Sequence, residues 1–292
     1  MNYTLEWRPE QEQDEIAQEP FDIWRSLDGD VSALFTRTPS GFHVRFLGCG
    51  DYEIDVEARR VICTPVPDFP DDSSQNIFAN QIVPLLWTYD GKPVLHGSAV
   101  VIDGAAFAFL GPSGRGKSTM AAAFAKAGFA FLTDDGLVLN REGDAFFAEP
   151  HLASIRLLPD SERAVMGTDT CPDDGSAGKV RVHAGPGVPY ASDRARVGGI
   201  YLMREPDAVR GAAGVTVQPL SLAESIDALL QHSFLLDSKD KKRMRAHFET
   251  MGALAESCPM FGLDYPRDYS RLDDTIGTIA AHARDVVAQD ER

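Results

Sequence analysis

Cysteine is scarce in this sequence of 292 residues, and the four present, Cys49, Cys63, Cys171 and Cys258, stand far apart. With no CxxC or Cys/His spacing among them, neither a zinc site nor a disulfide framework is indicated, and a reducing compartment fits best. Long apolar runs are missing too: nothing approaches the roughly 20 residues that span a bilayer. The opening MNYTLEWRPEQEQDEIAQEP is acidic and lacks the apolar core of a secretory signal. A cytoplasmic protein with no membrane partner is expected. Positive charge is also short, with 28 Lys and Arg against 44 Asp and Glu and a formal net charge of -16. Displacing counterions from a phosphate backbone takes a basic surface, so nucleic acid is not an expected partner. Internal repeats and low-complexity tracts are absent. What remains is 43% hydrophobic and 25% charged, the balance of a globular chain long enough for one large domain or two ordinary ones.

Short alternating segments at 31–37, 41–47, 52–56 and 60–65, separated by PSG, GCGD and EAR turns, predict a small, mostly antiparallel region. PVPDFPDDSS (65–74) reads as a loop. IFANQIVPLLW has helical spacing, with Pro84 expected to bend or end the helix. Two apolar runs joined by Asp103-Gly104 predict a hairpin whose second arm, 105–110, feeds GPSGRGKS. TMAAAFAKAG then predicts a helix stopping at Gly128, and FAFLTDDGLVLN resumes strand character. Further on come a polar loop at 167–179, strands at 198–203, 215–219 and 260–264, and helices at 222–234, 239–255 and 273–288.

Gly111, Pro112, Ser113, Gly114, Arg115, Gly116, Lys117 and Ser118 satisfy GxxxxGK[ST] in full. Glycines let the backbone wrap closely enough for successive amides to form an anion nest, and the following helix adds the positive end of its dipole. Lys117 is expected on the β- and γ-phosphates of a nucleoside triphosphate and the Ser118 hydroxyl on Mg²⁺, with Thr119 a further contact. An incidental glycine turn would not need an apolar strand before it and an alanine-rich helix after it.

Asp134 and Asp135 follow the next strand. Alone, DDG is a turn. After a phosphate-binding loop and its helix, acids at this point can hold Mg²⁺ or accept a proton from an attacking hydroxyl. His96 lies one strand before the loop, where a lone histidine is more often structural. Arg156, Lys179 and Arg181 are downstream cations able to offset phosphate charge, although any surface cation would look the same.

With HG before the strand, GPSGRGKST in the loop and TDDG after the next strand, residues 95–139 resemble the C-terminal catalytic domain of HPr kinase/phosphorylase. The resemblance implies an α/β fold: a P-loop kinase core of HPr kinase C-terminal domain type over 91–292, behind a small N-terminal β-rich, α+β region over 1–90. It implies an ATP- and Mg²⁺-dependent serine kinase in which Asp134 is the general base, Asp135 joins Ser118 on the metal, and His96 lies beside the reacting phosphate, with Lys117 and Arg156 completing the catalytic set. The order of roles within Asp134 and Asp135 stays open. The Glu-Ile-Arg-Gly-Leu-Gly signature of that family is not found, the nearest segment being EPHLASIRLLPD, so reversibility, HPr as substrate and hexamer assembly are not carried over. IVPLLWTYDGKPVLHGSAV, KVRV and CPMFGLDYPRDYSRL extend the resemblance to HPr kinase-related proteins of bacterial biosynthetic clusters, some of which phosphorylate the C-terminal serine of lasso peptide precursors. In that setting Arg156, Lys179 and Arg181 would contact phosphate or a peptide carboxylate. The expected partner is a peptide or small protein bearing an acceptor serine, with a homo-oligomer left open. An HPr serine kinase/phosphorylase of carbon regulation, a small-molecule kinase and a nucleotide-binding regulator with little turnover remain the alternatives.

Overall fold

A computed structural model of the protein describes residues 3–26, 28–168, 178–205 and 214–290. Cys171 and most of the polar loop expected at 167–179 lie outside the described residues. The described chain divides into two units, one reaching from the N-terminus to Val83 and including Asp237–Lys241, the other holding the described residues from Pro84 to Leu236 and from Lys242 onward.

The first unit is a six-stranded sheet of β1 (Thr4–Trp7), β2 (Asp22–Arg25), β3 (Val31–Thr38), β4 (Gly41–Phe46), β5 (Gly50–Asp55) and β6 (Arg60–Pro65), in the order β1-β6-β5-β4-β3-β2. The meander β3 to β6 is the antiparallel region that alternation predicts. Ala33, Phe35, Val44, Tyr52, Ile54, Val61 and Cys63 are all buried, every second residue along their strands. Sequence pattern alone did not reveal the two outer strands. β1 sits inside the acidic leader and pairs in parallel with β6, and β2 pairs antiparallel with β3. Between β1 and β2 the leader is tied to the sheet by Arg8 N–H to Cys63 O (2.9 Å), Gln11 N–H to Pro65 O (2.9 Å) and the Gln13 amide to Phe46 O (3.0 Å).

Two expectations need correction here. The loop at 65–74 is shorter, because α1 (Asp71–Ile77) starts within it, with Asp71 and Asp72 in its first turn where the helix dipole favours carboxylates. Pro84 does not end the helix: a widened π turn at Phe78–Ile82, closed by Val83 N–H to Phe78 O, leads into α2 (Val83–Tyr89). The wider turn accommodates a residue that has no N–H and would crowd the carbonyl four residues back.

The second unit is built on a nine-stranded sheet. Its path is β10 (Ala130–Thr133), β8 (Gly97–Ile102), β9 (Ala105–Leu110), β15 (Ala195–Met203), β12 (Ala145–Glu149), β11 (Leu137–Glu142) and β7 (Val94–Leu95). β17 (Met260–Asp264) lies parallel to β15 and takes β16 (Thr216–Pro219) antiparallel on its other side. The pair β13 (Ser154–Leu157) and β14 (Val180–His183) stands apart as a ribbon. Helices α3 (Lys117–Lys126), α4 (Pro159–Met166), α5 (Leu222–Gln231), α6 (Lys241–Ser257) and α7 (Leu272–Asp290) complete the unit.

The strand AAFAFL explains the layering. Phe107 and Phe109 pack with Met120 and Phe124 of α3 and Ile279 and Ala283 of α7, while Ala106, Ala108 and Leu110 face Leu229 of α5 and Met251 and Leu254 of α6. Both faces are covered, which is why β9 reads as a continuous apolar run. The direction of the strands then positions the chemistry. β9, β15 and β17 are parallel, and β10, antiparallel to β8, runs the same way as β9. Their C-terminal ends, followed by Gly111, Arg204, Tyr265 and Asp134, therefore open on one edge of the sheet, where α/β proteins bind ligands.

Gly97, beside His96, lies at the close pairing of β8 and β9: a Cβ built there would stand 2.6 Å from Leu110 Cδ2 and 2.8 Å from Phe109 O. Gly97→Ala should destabilise the protein by about 1–3 kcal/mol, the usual cost of overpacking, read as a lower urea midpoint at unchanged m-value.

Candidate active site

Immediately past Leu110 the backbone enters conformations that favour glycine, with φ of 152° at Gly111, 79° at Gly114 and 90° at Gly116. The loop closes into α3 at Lys117, whose N-terminus has no side-chain cap, so its first amides are left for a ligand. The Lys117 side chain is buried and folds back over the loop, its ammonium donating to Gly111 O (2.7 Å) and Pro112 O (3.1 Å). Ser98, a buried hydroxyl in the otherwise apolar β8, donates to Lys117 O (2.9 Å) and fixes the start of the helix to the sheet. Thr119 is turned elsewhere: its hydroxyl bonds Ser161 of α4 (3.2 Å), which in turn meets the Tyr269 hydroxyl (2.9 Å).

Asp134 and Asp135 belong to a tight turn after β10, closed by Gly136 N–H to Asp134 O (3.0 Å) and the Thr133 hydroxyl to Gly136 O (2.8 Å). Asp135 takes a left-handed φ of 69°, uncommon for a residue with a Cβ. That turn sends the two carboxylates to different partners. Asp134 is 3% exposed and accepts Arg156 N–H through Oδ2 (2.9 Å), while its Oδ1 has no hydrogen-bond partner among the described residues. Asp135 faces the Arg156 guanidinium at 3.9 Å. Arg156 thus serves one acid with its backbone and the other with its side chain. Arg181 is opposite Arg156 in the β13–β14 ribbon, and Lys179 immediately precedes β14.

The electrostatics tie these groups together. Burial is the main cause holding the Asp134 carboxyl well above the ordinary carboxylate range, and the Asp135 charge adds to it; the Arg156 N–H, the Ser118 hydroxyl and the Lys179 charge pull the other way. Burial lowers the Lys117 ammonium, which Asp135 and Asp134 support and Lys179 opposes. Burial, followed by the Lys117 charge, keeps the His96 imidazole far below its usual value, so it is neutral at physiological pH. The expected residues Lys117, Ser118, Asp134, Asp135, His96, Lys179 and Arg156 therefore influence one another at one sheet edge, with Arg181 alongside.

Sequence pattern missed His232. Its carbonyl accepts His96 N–H (2.6 Å), Ser233 bridges to Leu95, and the imidazole is depressed by burial and by the Lys117 charge. It closes α5, and nothing local distinguishes it from any other helix-end residue. Ser98 was more accessible to sequence reasoning, because a hydroxyl within a strand buried on both faces calls for a bonding partner.

The donor set also suits a magnesium ion. Mg²⁺ keeps several waters and takes one or two carboxylates plus substrate phosphate. The Ser118 hydroxyl and the Asp135 carboxylate supply such oxygens, next to the buried Asp134, whose Oδ1 has no hydrogen-bond partner among the described residues. Among the described residues no grouping of three or more His, Cys, Asp and Glu forms an all-protein metal cage.

Among solved structures, the chain matches the Hpr(Ser) kinase/phosphatase from Coxiella burnetii with a TM-score of 0.35 and 12% identity, over 68% of this chain and 99% of that one. No family model matches the sequence, and no curated protein does. The fold is mixed α/β, and the chemistry available to it is the one its own site carries.

Because the Asp134 carboxyl is raised above its unfolded value of about 4, its ionisation works against the folded state. That penalty is absent when both states hold the proton, grows as pH rises above the unfolded value and levels off once pH has passed the folded value. Asp134→Asn should raise the Tm of the nucleotide-free protein at pH 8 by roughly 2 °C or more, with a smaller gain at pH 5, as followed by calorimetry.

Proposed function

We propose that the protein is an ATP- and Mg²⁺-dependent kinase that transfers the terminal phosphoryl group of ATP to a serine hydroxyl on a peptide, with the C-terminal serine of a lasso precursor as the acceptor. The observation that carries the transfer is the convergence of Gly111–Ser118 with a buried, proton-avid carboxylate at Asp134 on one edge of the sheet. The peptide acceptor is supported by the similarity of the IVPLLWTYDGKPVLHGSAV and CPMFGLDYPRDYSRL segments to lasso-cluster kinases.

Phosphoryl transfer has a loose transition state, so positioning and charge compensation are most of the work. Lys117 exchanges its two loop carbonyls for the β- and γ-phosphate oxygens. The loop amides and the uncapped start of α3 face the same phosphates. Asp134 takes the proton of the acceptor hydroxyl; its raised affinity for protons suits a base working near neutrality. Arg156 neutralises charge beside Asp135, while neutral His96 offers a hydrogen bond without adding a further cation. Ser118 and Asp135 would hold a magnesium ion, which would supply positive charge against the phosphates. Lys179 and Arg181 meet the peptide carboxylate or the phosphate.

Incubation with ATP, Mg²⁺ and a cognate lasso precursor should yield a phosphoserine peptide by mass spectrometry, with HPr as the comparison acceptor. Lys117→Ala and Asp134→Asn should each lower kcat/KM about 100-fold or more, the usual cost of losing transition-state charge stabilisation or a positioned base. Phosphorylated HPr with no phosphopeptide would reassign the acceptor, and near-normal turnover in either variant would remove that residue from the mechanism.

A further inference from the structure

The segment Tyr265-Pro266-Arg267 follows β17 and has no part in the chemistry above, yet its side chains close on the phosphate loop. The Arg267 guanidinium donates through Nη1 to Arg115 O (2.9 Å) and through Nη2 to Arg204 O (2.8 Å). The Tyr265 hydroxyl donates to the same Arg115 carbonyl (3.3 Å). The guanidinium lies 3.7 Å from the centroid of the Tyr265 ring, a cation–π contact that holds both side chains in one geometry. Tyr265 is buried, and burial raises its hydroxyl, so it stays protonated and donates. The approach is close enough that a Cβ on Gly116 would stand 2.8 Å from the Tyr265 hydroxyl.

The Arg115–Gly116 peptide needs such support. It joins Arg115, which follows Gly114, to Gly116; both glycines are at positive φ, and Gly114 has open space around it. With no Cβ on Gly116, one of the two torsions that set the plane of that peptide has little steric restraint. In a planar trans peptide the C=O of one residue and the N–H of the next point in opposite directions. Two donors on Arg115 O therefore also determine where Gly116 N–H points: away from Tyr265 and Arg267, on the opposite side of the loop.

We propose that Tyr265 and Arg267 form a strut that orients the Gly116 amide towards the nucleotide phosphates, which makes them positioning residues for phosphate binding. The proposal rests on the nucleotide-binding reading above. The strut removes in advance the entropy cost of ordering a glycine-containing peptide when the ligand arrives. Arginine is specifically needed, since its fork reaches two carbonyls on different loops while its plane stacks on the ring, and a lysine ammonium does neither.

The test measures Mg²⁺-ATP and inorganic triphosphate binding by calorimetry on the full chain, for the wild-type protein, Arg267→Ala, Arg267→Lys and Tyr265→Phe. Nucleotide-free melting establishes that each variant is folded. Both Arg267 variants should lose roughly tenfold in affinity, consistent with a lost charge-assisted hydrogen bond, and by the same factor for ATP and triphosphate. Tyr265→Phe, losing only the longer bond, should lose about two- to threefold. In turnover, KM for ATP should rise while KM for the acceptor and kcat stay within about twofold. Unchanged triphosphate affinity in folded Arg267 variants would overturn the strut, as would a loss confined to ATP, which would mean a contact to the nucleoside. If the wild-type protein bound neither ligand, the nucleotide reading would fall and the strut with it.

Discussion

β9 is covered on both faces, by α3 and α7 on one side and by α5 and α6 on the other, and this governs where function can be placed. A strand shielded in this way cannot carry polar side chains without bonding partners, and its backbone is used up by β8 and β15. The first position at which the chain can offer free polar groups is the end of the strand. Gly111 lies there, and the glycine-rich turn that follows converts spent ladder geometry into a row of outward-facing amides. The parallel ends of β15 and β17 and the end of β10 open on the same edge, so acids, cations and supporting side chains from distant stretches of sequence meet there.

The loop and the acids were legible because each is a local pattern with a local cause. GPSGRGKS needs glycines where the backbone turns back on itself, and TDDG needs a residue that tolerates a left-handed turn. The hairpin at Asp103-Gly104 and the meander from Val31 to Pro65 were legible for the same reason. What could not be read is whatever depends on long-range closure. β1 looks like acidic leader until β6 offers it an edge, and Pro84 looks like a helix breaker until the preceding turn widens. His232, Tyr265 and Arg267 gain meaning only through carbonyl or amide partners far along the chain, and no periodicity carries that information. Ser98 falls between the two groups: its burial within an apolar strand hints at a bond, though not at its recipient.

Charge is distributed unevenly in this molecule. The chain as a whole carries a formal net charge of -16, yet one sheet edge of the second unit gathers Lys117, Lys179, Arg156 and Arg181 around two carboxylates. An acidic surface disfavours the approach of anions elsewhere, and salt weakens that repulsion over about 10 Å at 0.1 M. Within the site the balance is finer. Asp134 is held proton-avid by burial even though cations are near, and the Arg156 guanidinium faces Asp135 instead.

The position of Lys117 has a consequence for what the loop will accept. Its ammonium is satisfied by two carbonyls of the loop it serves, so the cradle holds a cation of its own. Binding of an anion there would be an exchange of partners, and only the difference between the old bonds and the new ones would count towards affinity. A weakly charged oxyanion gives the ammonium little reason to leave two well-placed carbonyls. A polyphosphate chain, with several charged oxygens along the reach of one side chain, does. A loop that is self-satisfied in this way would favour polyphosphates over small anions without a wall or a gate to exclude them.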